Sequence, residues 1–502
     1  MVNFKKVLGL AAPALVFAGM AFAQTPIACT VSATGAPYIR AEGTTEQLPT
    51  LDVVGTAPGT PCAVPAGPLT IQVFVTPVTN ITSKVLTAST NTTEAVASIG
   101  GGAGVQGVVS GNQLTFSNVS GTGMITISNI RIDATKIPVA TGIPNAVSVS
   151  VFITSGTAVV ATTTAAPVAY VVNGLGTQKI SGVNPIPVCV GGSASTAAFS
   201  VSLTEGFAGA FKTMAQENSA VQLGSPASNA ANSGTRVKLV FANVPAGASL
   251  YVPTSVVAAN GDTLTLTASE TGALSPVSAA TGSGVPANSG LVTIANGGGQ
   301  AVYELTTTAA TAAIDTYAIP VFVTGSANSI TASSTAMTVA VSFAPIGSTN
   351  IPNFVVGSST TVLTANTFTI CQTNLLFSYV TNMAGYDTGL AIANTSTDPF
   401  GKGGAASQNG NCTLNFYGVG APSAAVVTPM INGGQVLAQV LSSFAPGFQG
   451  YMIAQCNFQY GHGFAFITNG IGANGGLSQG YLANVIPSGS TRGTVGAESL
   501  GN

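Results

Sequence analysis

Apolar residues recur at every second position through most of this chain. Leu69–Val78 reads LTIQVFVTPV, with Ile71, Val73 and Val75 set against more polar neighbours. MITISNIRID (Met124–Asp133), VSVSVFIT (Val147–Thr154), FSVSLTEG (Phe199–Gly206), RVKLVFANV (Arg236–Val244) and MTVAVSF (Met337–Phe343) repeat the pattern. Successive side chains of an extended backbone point to opposite faces, so a period of two marks strands with one buried face. Val, Ile, Thr and Phe dominate these runs, and turn clusters such as SGNQ, PAGAS, ANGD and NGGGQ separate them. Helix formers gather only in Glu205–Ala220, where a short helix or a loop is expected. Many short strands with turns between them bury their apolar faces by stacking sheets. The expected fold is all-β: tandem antiparallel β-sandwich (Ig-like) domains with a distinct C-terminal β domain.

Two Gly-, Pro- and Asn-rich stretches, Asn173–Pro187 and Phe343–Phe354, read as linkers. They divide the chain into a sandwich at 24–178, a second at 179–347 and a C-terminal sandwich at 348–502. Val151–Val172 resembles Val321–Phe343: each has an aromatic-centred strand, a Gly/Ser turn, a Ser/Thr/Ala run and a Val-rich strand. The similarity suggests two related sandwiches, each ending in such a hairpin.

The N-terminus carries Lys5 and Lys6, then a short apolar run, then Ala21-Phe22-Ala23. This is the pattern of a signal peptide spanning 1–23 and cleaved after Ala23, which sends the chain out of the cytoplasm. No later stretch is long and apolar enough for a transmembrane helix, so a secreted or cell-surface protein is expected. Charged residues make up 5% of the chain, against roughly 25% in ordinary domains. So few basic residues build no patch to neutralise phosphates, which excludes most nucleic-acid partners. The six cysteines, Cys29, Cys62, Cys189, Cys371, Cys412 and Cys456, are widely spaced and contain no C-x-x-C. They read as disulfides rather than a zinc or redox motif. Cys29 with Cys62 is the first expected local pair and Cys412 with Cys456 the next; Cys189 and Cys371 could join two domains, or Cys371 could pair within the last one.

Two matches to G-x-G-x-x-G, at Gly102–Gly107 and Gly470–Gly475, do not stand between a parallel strand and a helix and read as turns. The single histidine, His462, lies in GYMIAQCNFQYGHGFAFITNG. Met452, Ala454, Cys456 and Phe458 share one parity there, so the stretch reads as a core hairpin bent at Gly-His-Gly, with His462 a turn residue. Lone acids in a nearly uncharged chain invite scrutiny, because glycosidases need two carboxylates at a set separation. Asp387 and Asp398 flank GLAIANTST, and Glu42 and Glu46 follow Arg40 in YIRAEGTTEQ. Arg40 with Glu42 reads as a structural ion pair or turn clamp. The Thr alternation of Thr263–Ser269 would suit an ordered solid such as ice or mineral.

LLFSYVTNMAGYDTGLAIANTSTDPF, NCTLNFYG and APGFQGYMIAQCNFQYGHGFAFITN together resemble a C-terminal domain of secreted β-rich proteins encoded in acidobacterial genomes, over about Thr369–Val485. YIRAEGTTEQ, EGFAGAFKT, GTRVKLVF and NVPAGASLYVP are similar to their N-terminal parts. There a cysteine soon follows R-A-E-G-x-T-E, whereas GTAPGTPC delays Cys62 here, which leaves its pairing open. The resemblance implies bacterial origin, export and domain order, and supplies no catalytic residues. The expectation is a non-catalytic surface or extracellular-matrix protein of assembly or adhesion, without a cofactor. It would associate with itself through sheet edges, the 331–343 strand first among them, or with surface components. The alternative is a carbohydrate-binding or glycan-processing protein.

Overall fold

The computed structural model describes residues 25–486, apart from 58, 219–229, 311, 358, 401–404 and 470–475. The expected signal peptide and the second Gly-rich match lie outside the described residues. The chain is all-β, with Met214–Glu217 its one α-helical turn among the described residues. Contacts divide it into two compact units, Met1–Val172 with Asn218–Ala230, and Asn173–Glu217 with Ala231–Asn502.

In the first unit the strands hydrogen-bond in a ring. Its order is Ala158–Thr163, Ile27–Ala33, Leu51–Val54, Ile125–Ser128, Thr92–Ile99, Val105–Ser110, Gln113–Val119, Leu69–Thr76 and Asn145–Ser155. The last strand then pairs with the first, which closes the sheet. Asn145–Ser155 makes this possible because it forks: its first half pairs with Ala166–Val172 and its second half with Ala158–Thr163. Ile27–Ala33 joins Ala158–Thr163 in parallel, with Cys29 opposite Thr163. Ile71, Val73, Val75, Val147, Val149 and Val151 point into the ring and are fully buried, as their alternation requires.

Two ion pairs are buried with this apolar core. The Arg40 guanidinium lies 2.7 Å from the Glu46 carboxylate, and Arg131 lies 3.0 Å from that of Glu94. All four side chains are inaccessible to water. Glu46 and Arg131 are joined by backbone, since Arg131–Ile132 pairs with Glu46–Gln47. Glu46 returns to Arg40 through a turn closed by the Gly43 N–H on the Arg40 carbonyl. A Cβ at Gly43 would collide with the Glu46 side chain. Glu42, the partner expected from spacing, is buried as well; Glu46 is an Arg40 partner that spacing did not announce.

The second unit holds two pairs of sheets. A five-stranded sheet runs Leu175–Ser181, Phe199–Glu205, Thr316–Thr324, Ser249–Pro253, Ser289–Val292. A seven-stranded sheet is built around Gly298–Thr307, Arg236–Ala242 and Thr338–Ala344. Phe199, Val201 and Leu203 from one, and Val237, Leu239, Val339 and Val341 from the other, are buried. A third ion pair, Arg236 with Glu304 at 2.7 Å, is buried among them. Residues 373–486 form a five-stranded and a four-stranded sheet over a separate core.

Several expectations meet a different arrangement. Neither Gly/Pro-rich stretch is a linker. Leu175–Ser181 is a strand paired with Phe199–Glu205, so it spans residue 178. In the other, Phe343 and Phe354 stack with centroids 4.7 Å apart, and Ile351 is buried. The ladder passes residue 347, because Val362–Thr364 pairs with Thr338–Ala344. That pairing also covers the strand expected at an edge: Thr338 and Ala340 face Thr364 and Val362. The two similar segments differ in topology. Asn145–Ser155, Ala158–Thr163 and Ala166–Val172 share one sheet, whereas Thr316–Thr324 and Thr338–Ala344 belong to two. Their likeness reflects shared composition rather than a shared hairpin.

Three disulfides form: Cys29–Cys62, Cys189–Cys371 and Cys412–Cys456. Cys412 and Cys456 stand directly opposite on paired strands. Cys189–Cys371 reinforces a short parallel pairing of Ile186–Pro187 with Phe368–Thr369. In the chain-entropy account, closing its 182-residue separation stabilises by about 5 kcal/mol.

The buried ion pairs make the first prediction. Arg131→Met strands the Glu94 charge in the core and should cost about 3–5 kcal/mol in urea denaturation. Adding Glu94→Leu should recover most of that loss, because an apolar pair needs no desolvated charge to be matched.

Candidate functional site

The residues singled out by sequence are mostly structural. Asp387 accepts from the Ser442 N–H and hydroxyl, and Asp398 from the N–H groups of Phe400 and Ala405. Asp387 opens the strand Asp387–Asn394 and Asp398 lies beyond its far end. That strand spans about 23 Å, while a glycosidase pair stands roughly 5–9.5 Å apart. The structure does not bring these two acids together. Thr265 shares its hydroxyl with Thr306, and Thr263 donates to Gly261, so these hydroxyls serve the sheet rather than an external lattice. Of the match at Gly102–Gly107, the first residues precede a strand and Gly107 lies within it, Val105–Ser110, where a Cβ would press on Phe116 and Leu114, a packing role.

Glu205, Asp262 and Asp315 form a buried acidic group that sequence reading did not flag. Glu205 accepts N–H bonds from Phe211 and Asp315, and Asp315 accepts from the Asn260 amide. Burial raises the Glu205 carboxyl to about 7, against its two backbone donors and reinforced by the Asp315 and Asp262 charges. Burial also raises Asp315.

The C-terminal sandwich departs most from expectation. Gln449–Cys456 and Gly461–Thr468 are not a hairpin: they lie in the two opposed sheets. The chain crosses between them through 457–460, ending on Tyr460 with φ 57°. His462 is therefore on a strand, opposite Ala393, and faces solvent. Gly461–Thr468 is inverted relative to an ordinary amphipathic strand. Its inward positions are Gly461, Gly463 and Ala465; its outward ones include His462, Phe464 and Phe466. The inward residues are small because the facing sheet fills their space. A Cβ on Gly463 would stand 2.6 Å from the Phe377 ring and 2.8 Å from Ala483. Phe464 and Phe466 are 41% and 40% exposed. They flank Gly389 and Ala391 on the next strand, and beyond these lie Ala438 and Val440. The outcome is an apolar trough of about 610 Å³. On the opposite sheet Tyr417 and Tyr451 also face outward and stack at 4.9 Å.

A second cavity, of about 450 Å³, opens where the two C-terminal sheets meet. Tyr379, Thr381 and Tyr386 line one side, and Leu477, Ser478 and Gln479 the other. A β-bulge aims Tyr379 into it. Phe377 pairs with Met452 and Val380 with Gly450, so one extra residue is accommodated and both Ser378 and Tyr379 are exposed. The bulge frees the Tyr379 backbone from the ladder, and the Tyr481 hydroxyl clamps it. That hydroxyl accepts from the Tyr379 N–H at 3.2 Å and donates to the Tyr379 carbonyl. Burial raises the Tyr481 phenol above its ordinary value. Tyr386 is set by a turn in which Ala384 adopts φ 57° and the Tyr386 N–H reaches the Met383 carbonyl. A non-glycine residue in that left-handed region is uncommon, and such strain clusters at functional sites.

No family model matches the chain, and no curated protein matches it. Among solved structures it is similar to the major pilin subunit of Bacillus cereus, at 9% identity and TM-score 0.20 over 77% of this chain and 86% of that one. It is also similar to the BSP domain of a biofilm-associated protein, at 9% identity and TM-score 0.18 over 91% and 81%. The full-length major pilin SpaD from Corynebacterium diphtheriae matches at 10% identity and TM-score 0.18, over 80% and 79%. Scores this low carry no conclusion about this chain. Its own geometry defines a disulfide-bonded array of antiparallel β-sheets. Its disulfides fit an oxidising compartment, and no helix among the described residues is long and apolar enough to cross a membrane.

Gly463→Val should destabilise the C-terminal sandwich by about 1–3 kcal/mol, the cost of overpacking. Phe464→Ser should leave its melting temperature within about a degree, because no core contact is lost. For Glu205 the fold holds a proton that the unfolded chain has lost. Its contribution is complete below about pH 4.5 and disappears as pH rises through about 7. Unfolding free energy should fall across that interval, and Glu205→Gln should remove this slope.

Proposed function

We propose that the chain is a non-catalytic protein of the bacterial exterior that acts by adhesion, gripping a surface through its C-terminal sandwich. One observation carries this reading: a strand that places glycine inward and phenylalanine outward. Large apolar side chains gain roughly 1.5–3 kcal/mol on burial. A sequence that leaves Phe464 and Phe466 partly in water, beside a trough floored by Gly389 and Ala391, forgoes part of that gain in the free protein. Exposed apolar patches of this kind mark contact surfaces. Asp387 and Asp398, each engaged by N–H or hydroxyl donors, support binding over hydrolysis.

Self-association is a second reading, moved from the strand first expected to carry it. Val436–Val440 and Ser478–Leu482 are the end strands of the four-stranded sheet, and neither carries a charge. Charged edge residues are a usual guard against strand addition.

The test is retention of the purified protein on bacterial cell-wall and polysaccharide fractions. Phe464→Ser with Phe466→Ser should lower the bound fraction at least tenfold at unchanged thermal stability. Equal retention of wild type and variant would remove the adhesive role of this face.

A further inference from the structure

We infer that the cavity between Tyr379 and Gln479 is a binding site for a neutral saccharide. This deepens the adhesion reading and rests on it, but it concerns a different cavity from the phenylalanine trough.

At about 450 Å³ the cavity falls within the roughly 300–1,000 Å³ of small-ligand sites. Its walls combine two aromatic rings with neutral hydrogen-bonding groups. The phenols of Tyr379 and Tyr386 and the amide of Gln479 make no hydrogen bond to another described residue. Ser478 and Thr381 add hydroxyls, and each keeps capacity beyond its one internal partner, Thr468 for Ser478 and the Met383 N–H for Thr381.

Those groups select the ligand class. A purely aliphatic ligand would bury the phenols and the amide without partners, at roughly 1–3 kcal/mol for each group left unmatched. A charged ligand would find no ionised side chain in the lining. Asp387, next to Tyr386, is already occupied by Ser442. A pyranose ring meets both demands. Its C–H faces suit tyrosine rings, and its hydroxyl rim suits the amide, phenols and hydroxyls. The construction of the site points the same way. The bulge at Ser378–Tyr379 and the strained turn at Ala384 place the backbones that carry the two rings, and the Tyr481 clamp holds the first of these backbones. Backbone fixed in advance loses less freedom on binding.

The experiment is isothermal titration of the full mature protein with glucose, galactose, N-acetylglucosamine and cellobiose, and with an acidic oligosaccharide of galacturonic acid. At least one neutral sugar should bind, and Tyr379→Ala and Gln479→Ala should each weaken it tenfold or more. Tyr379→Phe, which keeps the ring, should weaken it less. Phe464→Ser with Phe466→Ser should leave sugar binding unchanged while reducing surface retention. No binding of any neutral sugar by folded protein would overturn the site while leaving adhesion through the trough intact. Preference for the acidic oligosaccharide, or undiminished binding by Tyr379→Ala, would equally overturn it.

Discussion

Every strand must find hydrogen-bond partners for both of its edges or leave a template open to another chain. That constraint bears heavily here, because few charges are available to guard an open edge. The first unit answers it by closing its ladder on itself, through a forked strand and one parallel pairing. The second unit answers it in part. Val362–Thr364 caps the most uniformly apolar strand, and the uncharged strands left at sheet ends, such as Val436–Val440 and Ser478–Leu482, are at most five residues long. Geometry thus does in this protein what lysine does in many others.

Many of the charges that exist, though none of the lysines among the described residues, have been drawn inward. All three arginines among the described residues are fully buried against glutamates, and Glu205, Asp262 and Asp315 lie inside as well. A buried ion pair adds little net stability over an apolar pair, yet it tolerates no substitution of one member alone. Its contribution here is to fix position: Arg40 with Glu46 locks a turn, and Arg131 with Glu94 ties a short strand into the ring. The exterior left behind is built of hydroxyls, amides and outward aromatics, which suits contact with neutral surfaces.

Much of this was legible in the sequence, and the exceptions have physical causes. Alternation identified the strands and, in Gln449–Cys456, the inward set Met452, Ala454 and Cys456. It was silent on Gly461–Thr468, because periodicity separates two faces without saying which is inside. Size normally decides that question, but here Phe377, distant in sequence, takes the interior volume and leaves room only for glycine. Composition misled at Asn173–Pro187 and Phe343–Phe354. Glycine, proline and asparagine permit a linker, whereas Phe343 and Phe354 found a stacking partner in each other and made the second stretch part of the core. Spacing pointed from Arg40 to Glu42 and gave no sign of Glu46, which the turn at Gly43 also returns to Arg40. The saccharide cavity was invisible, since its bulge is a matter of register between strands some seventy residues apart.

The Cys189–Cys371 bridge has a mechanical meaning. The strands from Phe199 to Thr364 all lie between its two cysteines, inside one covalent loop. If a protein anchored at one end were pulled at the other, tension would arrive at Cys189 and leave through Cys371 without entering that loop. The backbone between Phe199 and Thr364 would carry no end-to-end tension, however hard the chain was drawn. Leu175–Ser181 and Ile186–Pro187, which lie before the bridge, could still be peeled from their partners inside it. The middle of the molecule is thus shielded from force by a single bond, and extension under load must come from the segments on either side.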